Sequence, residues 1–329
     1  ALGGPSLATV GGYIEPGVRR RGYEEWYGYE KAHEYVDVWQ FDETQTPPKQ
    51  VRVAGYDWEP TWQTDRFLDF AKRACDAGKP FLFYLAYGPP HLPEQCPQVL
   101  LDKYPPDSFT LPPDVAGKFD AKTEAVLRKS LQAYYGQVEA LDIEVGRVLD
   151  GLKALGEDEN TIILYTSDHG DLLGSHAKPG KLRGKASPYA TAFRIPCILR
   201  WPGGIPAGQR SDALVSSVDL PPTLLDLAGL PIPWKMQGDS MAGWCRGGTG
   251  VRNEGVYIAL GDWKAVWDGR WVYCPSESYR ILYDHQTDPH EMVNRFGDPA
   301  CAAEQARLEA LLGKLTARAE TLPARPTAG

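Results

Sequence analysis

The sequence has few cysteines, no long apolar run and no excess of basic residues. Its 329 residues include six cysteines without a C-x-x-C pair, which argues against zinc knuckles, thioredoxin-type motifs and a disulfide scaffold. Its longest apolar run, residues 81–87, is far shorter than a membrane-spanning helix. A net charge of −8 argues against general binding to nucleic-acid backbones. We therefore expect a soluble protein without nucleic-acid or membrane partners, its compartment (periplasmic, secreted or cytoplasmic) and oligomeric state left open.

The composition is that of an ordinary globular protein. Hydrophobic residues make up 43% of the chain and charged residues 24%, which are typical values for folded domains. The 34 glycines and 28 prolines are too few to indicate low complexity. A chain of this length can bury one large core or two smaller ones.

Five segments with regular patterns predict an α/β fold, with a mainly parallel sheet flanked by helices. The apolar runs at residues 81–87 and 161–166 are typical of strands buried on both faces, and a third run follows at 194–200. Apolar residues recur at steps of three and four over 127–155, which predicts a long helix. A strand, a helix and a strand in this order favour a right-handed parallel crossover. A shorter helix is predicted over residues 62–77.

The pattern changes after Leu230. Four short strand-like runs separated by turns predict a smaller antiparallel sheet, and an amphipathic helix follows over residues 301–319. We place a domain boundary near residue 232, which gives an α/β domain over 1–232 and an α+β subdomain over 233–329. The four predicted strands are 256–260, 264–266, 271–274 and 281–283.

The first 60 residues are rich in glycine, proline and aromatic residues without a clear period. Their aromatic side chains are compatible with a wall that binds an aryl or sugar ring, and equally with core packing under a long loop. His33 lies among them and is a candidate substrate-binding residue. The set comprises Tyr23, Trp26, Tyr27, Tyr29, His33, Tyr35 and Trp39.

Polar side chains follow two of the predicted strands. Asp168 and His169 come directly after the run at 161–166, and His91 follows the run at 81–87. Ligands of open parallel sheets bind at the carboxyl ends of the strands. Asp168 and His169 are therefore candidate metal ligands, with a turn cap and an exposed histidine as the alternative. His91 is either a rigidly held hydrogen-bond donor or a plain loop residue.

A basic loop follows Asp168 and His169. It carries His176, Lys178, Lys181, Arg183 and Lys185 within ten residues of an otherwise acidic protein. A charge run of this kind is most often a solvated surface. Because this loop begins beside the candidate metal ligands and returns into a predicted strand, a cation on it would face an anion bound to the metal.

The segments around these residues resemble the sulfatase family of the alkaline-phosphatase superfamily. The resemblance begins with YTSDHGDLLGSH at residues 165–176 and LRGKASPY at 182–189. Further segments, which occur in the order of the family, extend the resemblance over nearly the whole chain. The further matching segments are 21–37, 194–203, 218–229 and 282–294.

The resemblance implies a metal-dependent hydrolase of sulfate esters whose nucleophile is a Cys or Ser converted to formylglycine. By position, Asp168 and His169 match metal ligands, with Ca²⁺ expected and Mn²⁺ or Mg²⁺ as alternatives. Lys185 and His91 match catalytic side chains that contact the sulfate, and His176 is a candidate substrate contact. The implied partner is a sulfated small molecule or sugar.

Three elements of the family pattern are absent from these 329 residues. They are the Cys/Ser-x-Pro-Ser-Arg nucleophile motif, a pair of metal-binding aspartates and a lysine–histidine motif. The resemblance therefore implies the part of a sulfatase that follows its nucleophile-bearing segment, inactive alone. His169 stands where some members carry Asn, which keeps a phosphonate monoester or phosphodiester hydrolase open. A truncated, non-catalytic anion-binding protein is the third interpretation.

Overall fold

The chain forms two compact units in the computed structural model. Unit 1 comprises Ala1–Phe109 and Ala121–Asp158, and unit 2 comprises Thr110–Asp120 and Glu159–Gly329. The boundary predicted near residue 232 lies inside unit 2 and stays a prediction. The structure describes residues 12–28, 34–177, 180–232, 236–250 and 253–321.

The described residues of unit 1 form an antiparallel strand pair and three α-helices, whose bounds are β1 Trp39–Asp42, β2 Lys49–Arg52, α1 Glu59–Asp76, α2 Gln98–Leu101 and α3 Ala121–Ala154. Helices α1 and α3 pack together, and Thr61 Oγ1 of α1 donates to Glu144 Oε1 of α3 at 2.7 Å. At Gly151 an added Cβ would lie 2.2 Å from Leu68 Cδ2, so a larger residue there would require the Leu68 side chain to move. The two helices predicted from apolar periodicity are confirmed.

Residues 81–87 have no regular secondary structure and form no strand with any described residue. The rings of Phe81 and Phe83 pack on Phe70 of α1 at centroid distances of 5.8 and 5.2 Å. On the opposite face, Leu82 and Tyr84 are 73% and 74% exposed. The prediction of a strand buried on both faces is therefore wrong for this segment, because α1 covers only one face.

The first part of unit 2 holds one strand pair and three short helices. Strands β3 and β4 pair antiparallel, with Ile163 opposite Arg200 and Thr166 opposite Cys197. Every ladder among the described residues is antiparallel, so the parallel pairing expected from the sequence is not seen in that part of the chain. The bounds are β3 Ile163–Thr166, α4 Ala190–Phe193, β4 Cys197–Arg200, α5 Leu220–Leu227 and α6 Ala242–Cys245.

The remainder of unit 2 is a four-stranded antiparallel sheet followed by a helix, as predicted. The strands are β5 Val256–Leu260, β6 Trp263–Trp267, β7 Trp271–Ser276 and β8 Tyr279–Asp284, paired in chain order. One face packs against Leu308, Leu311 and Leu312 of α7 (Ala302–Thr321). The other face packs against Tyr189 and Phe193.

Helices and sheets together confirm the α/β class. Within the described ranges, no helix is both long and apolar enough to cross a membrane.

Candidate functional site

The turn that follows β3 is held by short local hydrogen bonds. Ser167 Oγ donates to the carbonyl of His169 at 2.8 Å, and the His169 N–H donates to Asp168 Oδ1 at 2.9 Å. The Gly170 N–H donates to the Ala192 carbonyl at 2.8 Å. An added Cβ at Gly170 would lie 2.1 Å from the Thr191 carbonyl oxygen, so a side chain there would push the turn away from α4.

Asp168 and His169 lie side by side at this turn. His169 Nδ1 is 2.7 Å from the Gly170 carbonyl oxygen, which can only accept a hydrogen bond, so Nδ1 carries a proton. In the neutral ring this leaves a lone pair on Nε2, which lies 3.4 Å from Asp168 Oδ2. The Asp168 side chain is 83% exposed. A nitrogen lone pair beside a carboxylate, with the other ring nitrogen bound to a carbonyl, suits a divalent cation.

The pair is an incomplete metal centre within the described residues. No group of three or more His, Cys, Asp and Glu side chains is arranged there to hold a metal ion. Divalent cations in proteins normally have four or more ligands. Asp168 and His169 therefore fit a metal only if other groups supply the remaining ligands.

The loop after the turn folds back on itself. The Leu172 N–H donates to the Gly184 carbonyl at 2.8 Å, and the Gly174 N–H donates to the Leu182 carbonyl at 2.7 Å. These two bonds bring the chain at Gly184, and hence Lys185, back beside the turn that carries the candidate metal ligands. The tertiary structure thus brings together sequence positions that lie about 15 residues apart.

The cations of this loop have different roles. Arg183 is buried and paired with Asp171, whose Oδ2 accepts from its Nε at 2.9 Å. Lys185 is exposed and has no ion-pair partner in the part of the chain that the structure describes. Arg183 is therefore structural, whereas the Lys185 ammonium is available to an anion. Lys178 lies outside the described residues.

His91 belongs to unit 1, where it sits in a tight turn. Its N–H donates to the Gly88 carbonyl at 3.2 Å, and its Nδ1 is 2.7 Å from the Leu92 carbonyl oxygen. An added Cβ at Gly88 would lie 2.4 Å from Cε1 of the buried Tyr35. The turn is thus packed directly on the core of unit 1, which fixes where His91 emerges.

In the structure, Nε2 of His176 is bound to another side chain of this protein rather than open to a substrate. Its Nε2 lies 3.0 Å from Oε2 of Glu291, and its ring stacks on Tyr189 with centroids 3.7 Å apart. Sequence reasoning missed Glu291, although it lies in the family-like segment 282–294. Its position in that segment was the signal available in the sequence, because its burial and its partners depend on contacts with distant residues.

Glu291 stays ionised in this setting. Its burial alone would raise the pKa of the carboxyl, but hydrogen bonds from His176, His285 and the Ala190 N–H outweigh burial and lower that pKa below its usual range. Burial also raises the pKa of the neighbouring Tyr189 phenol. The cluster therefore holds one carboxylate surrounded by hydrogen-bond donors.

Among the aromatic residues of the first 60 positions, some pack in the core and others are partly exposed, as a ring-binding wall would require. Tyr35 is buried and packs edge-on against Trp58 at 6.3 Å, which is core packing. Tyr23 and Tyr27 are partly exposed, and Tyr27 contacts Trp62 of α1 at 6.3 Å. His33, the candidate substrate-binding histidine, lies outside the described residues, as does Tyr29.

Two family models match the chain. The model named Sulfatase matches residues 11–230, and that of the N-sulphoglucosamine sulphohydrolase C-terminal region matches residues 183–318. An ulvan-active sulfatase of Formosa agariphila is 27% identical over 91% of this chain and 59% of its own length. An N-acetylglucosamine-6-O-sulfatase of Bacteroides thetaiotaomicron is 33% identical over 59% of this chain and 38% of its own length. The chain thus spans about half the length of the curated relatives it matches.

Solved structures share the fold. One from Bacteroides thetaiotaomicron, described in connection with the metabolism of multiple glycosaminoglycans, has a TM-score of 0.79 and 24% identity, covering 93% of this chain and 68% of its own. The phosphonate monoester hydrolase of Silicibacter pomeroyi has a TM-score of 0.72 and 24% identity over the same shares of the two chains. These similarities concern the fold alone, since the identities are below 25%.

Proposed function

Because the chain belongs to the sulfatase family of the alkaline-phosphatase superfamily, we propose that it carries the sulfate-binding part of a metal-dependent sulfate ester hydrolase. One observation carries this proposal. Lys185, which is exposed and has no ion-pair partner among the described residues, is folded back beside the turn that bears Asp168 and His169. An anion that is held by both a metal ion and a cationic side chain needs an ammonium next to the metal ligands, and Lys185 supplies one.

Lys185 acts on the sulfate oxygens in this proposal. Negative charge on these oxygens increases as the ester bond breaks, so a fixed ammonium stabilises the transition state more than the bound substrate. A sulfate contact by His91, which the sequence resemblance implies, stays a prediction. In unit 1 its ring is held by the hydrogen bond from Nδ1 to the Leu92 carbonyl.

Asp168 and His169 would hold part of a divalent cation site, for which Ca²⁺ is our first candidate. Asp168 supplies a carboxylate oxygen, and His169 supplies Nε2 because its Nδ1 proton is bound to Gly170. When bound, the cation would offset charge on the sulfate, and a formylglycine from outside these 329 residues would supply the attacking oxygen. This chain's own residues then bind and orient the sulfate group.

The proposed nucleophile and remaining metal ligands come from chain outside these residues. The nucleophile motif does not occur among the 329 residues, and the exposed face of residues 81–87 is consistent with further chain packing there. We expect the purified 329-residue chain to show no measurable hydrolysis of 4-nitrophenyl sulfate. The coding sequence on the 5′ side of Ala1 should encode Cys/Ser-x-Pro-Ser-Arg, and a stop codon there would favour a non-catalytic anion-binding protein.

A sulfated sugar is the proposed substrate class. Two relatives support it by name, one being ulvan-active and the other an N-acetylglucosamine-6-O-sulfatase. A panel of sulfated monosaccharides, assayed for sulfate release by the complete protein, tests this class against simple aryl sulfates.

The decisive variant is Lys185→Ala in the complete protein. We expect kcat/KM for 4-nitrophenyl sulfate to fall by roughly 10²–10³, as when one oxyanion donor is removed, with an unchanged melting temperature. Lys181→Ala is the matched control, because Lys181 is an exposed lysine on the same loop. Equal activity of both variants would contradict the assignment of Lys185.

A phosphonate monoester hydrolase is the second candidate function. The structure from Silicibacter pomeroyi shares the fold over 93% of this chain, and His169 stands where some sulfatases carry Asn. The complete protein should be assayed with phenyl 4-nitrophenyl phosphonate beside 4-nitrophenyl sulfate. A higher kcat/KM for the phosphonate would replace the sulfatase proposal with this one.

A further inference from the structure

A buried carboxylate joins two parts of unit 2 that lie far apart in the sequence. Glu291 follows β8 and is only 4% exposed. Its Oε2 lies 3.0 Å from His176 Nε2, while its Oε1 lies 3.0 Å from His285 Nε2 and accepts from the Ala190 N–H at 3.1 Å. We call Glu291, His176 and His285 the clasp.

The clasp holds both ends of the basic loop. His176 and Ala190 flank residues 177–189, the segment that carries Lys185. The stacked rings of His176 and Tyr189 bring the same two ends together. Tyr279 Oη donates to the Ala186 carbonyl at 3.3 Å, which adds a contact one residue after Lys185. A single carboxylate from the C-terminal part of the chain thus makes hydrogen bonds at both ends of this loop.

The backbone at the clasp is strained on both sides of the hydrogen bond. His176 has φ 52° and Glu291 has φ 53°, which lie in the left-handed region that non-glycine residues rarely adopt. Such conformations persist only where the surrounding contacts over-determine them, and they concentrate at functional sites. That both partners of one hydrogen bond adopt this conformation indicates that their side chains have to meet.

The geometry argues against two other roles for the cluster. The Nε2 atoms of both histidines are engaged by Glu291, so these atoms do not contact a ligand. The described residues also contain no group of three or more such side chains arranged to hold a metal ion. What remains is an action on the loop itself.

We propose that Glu291 is a positioning residue, which fixes both ends of loop 177–189 and so holds the Lys185 ammonium at the anion site. The inference rests on the proposed function for the identity of the anion that Lys185 meets. The fixing of the loop by Glu291 does not depend on that identity, and it can be measured without any substrate.

Limited trypsin digestion of the purified chain tests directly whether Glu291 fixes the loop. Trypsin cleaves after Lys181, Arg183 and Lys185, and cleavage of a folded protein follows the population of the locally open form. Glu291→Ala should accelerate cleavage at these bonds by about 10- to 100-fold, since it removes hydrogen bonds to a charged group. Glu277→Ala, an exposed glutamate in the turn between β7 and β8, is the control and should leave cleavage unchanged.

A second pair of variants keeps the test decisive if Glu291→Ala fails to fold. His176→Ala removes one donor and the stacked ring, whereas His176→Gln retains an N–H donor for Glu291 Oε2. We expect faster loop cleavage in His176→Ala and substantial rescue in His176→Gln. Equal cleavage of both variants and the wild-type chain, or unchanged cleavage of a folded Glu291→Ala variant, would overturn the proposal.

The consequence for the anion site is measured separately. Inorganic sulfate affinity of the chain, measured by calorimetry, should fall in His176→Ala and recover in His176→Gln. If sulfate affinity is lost in Lys185→Ala yet unchanged in a His176→Ala variant whose loop is readily cleaved, the positioning role is overturned. A wild-type chain that binds no sulfate contradicts the proposed function instead, and loop cleavage then still decides whether Glu291 fixes the loop.

Discussion

Residues 81–87 and strand β7 are both apolar runs, but only β7 lies in a sheet. Strand β7 pairs with β6 on one edge and with β8 on the other, and it is covered on both faces. Residues 81–87 contact α1 on one face, and their backbone pairs with no described residue. An apolar run therefore predicts a segment that packs against other apolar residues. Whether it forms a strand depends on the neighbouring segments that are available for pairing.

Hydrogen exchange should show the largest difference between the two segments. Amides of β7 and β8 should be protected by about 10³-fold or more, because they open only with substantial unfolding. Amides of residues 81–87 should exchange close to their intrinsic rates in this chain. Mass spectrometry of peptic fragments measures both, and strong protection of 81–87 would break the comparison.

The same hydrogen-exchange experiment on a longer chain that contains the proposed nucleophile segment tests the comparison further. If further chain pairs with residues 81–87, their amides should become protected there while those of β7 stay unchanged. Unchanged rapid exchange of 81–87 in an active complete protein would show that the segment stays open.

The next largest effect is expected on stability, when a buried leucine and an exposed leucine are each replaced by alanine. Leu282 in β8 is fully buried, so Leu282→Ala should destabilise unit 2 by about 2–5 kcal/mol through lost contacts and a cavity. Leu82→Ala removes the same atoms from an exposed position and should change stability by less than about 0.5 kcal/mol. Urea unfolding followed by circular dichroism compares the two variants, and similar losses would show that Leu82 is covered in solution.

The stability of unit 2 should depend on pH through Glu291. Because the pKa of Glu291 is lowered in the folded state, its carboxylate stabilises the fold above the ordinary pKa, and this stability is lost as the pH falls through the lowered value. Glu291→Gln should therefore be less stable than the wild-type chain at neutral pH, and the difference should shrink in acid. Urea midpoints from pH 3 to pH 7 measure this, with Glu277→Gln as control; a difference independent of pH would contradict the role of the charge.

Thiol labelling should give the smallest effect. Cys197 in β4 is exposed, although partial burial raises the pKa of its thiol, whereas Cys274 in β7 is buried in the apolar cluster on the sheet face that packs against Tyr189 and Phe193. Cys197 should react with a neutral maleimide in the folded chain, and Cys274 only after unfolding. Peptide mass spectrometry assigns the labelled thiols, and early labelling of Cys274 would indicate that the sheet is looser than its packing suggests.

Local pattern was enough to predict much of the fold. The periodicity of α1, α3 and α7 and the short strands β5 to β8 were predicted from sequence, because helix faces and hairpin turns depend on nearby residues. The predictions of parallel pairing and of burial of residues 81–87 on both faces were wrong for the described part of the chain, because pairing between distant segments depends on which neighbours are present. The β3 and β4 pair shows the same limit, since its antiparallel register involves residues about 35 positions apart.

The sequence by itself determined the family and named Asp168, His169, Lys185 and His91, because their motifs are short and local. Only the tertiary structure showed that Arg183 is neutralised by Asp171 while Lys185 is free in the described part of the chain. It alone joined His176 to Glu291 across 115 positions and so changed a candidate substrate contact into part of a clasp. The physical reason is that hydrogen-bond partners and burial belong to spatial neighbours, whereas a motif records only the order of residues along the chain.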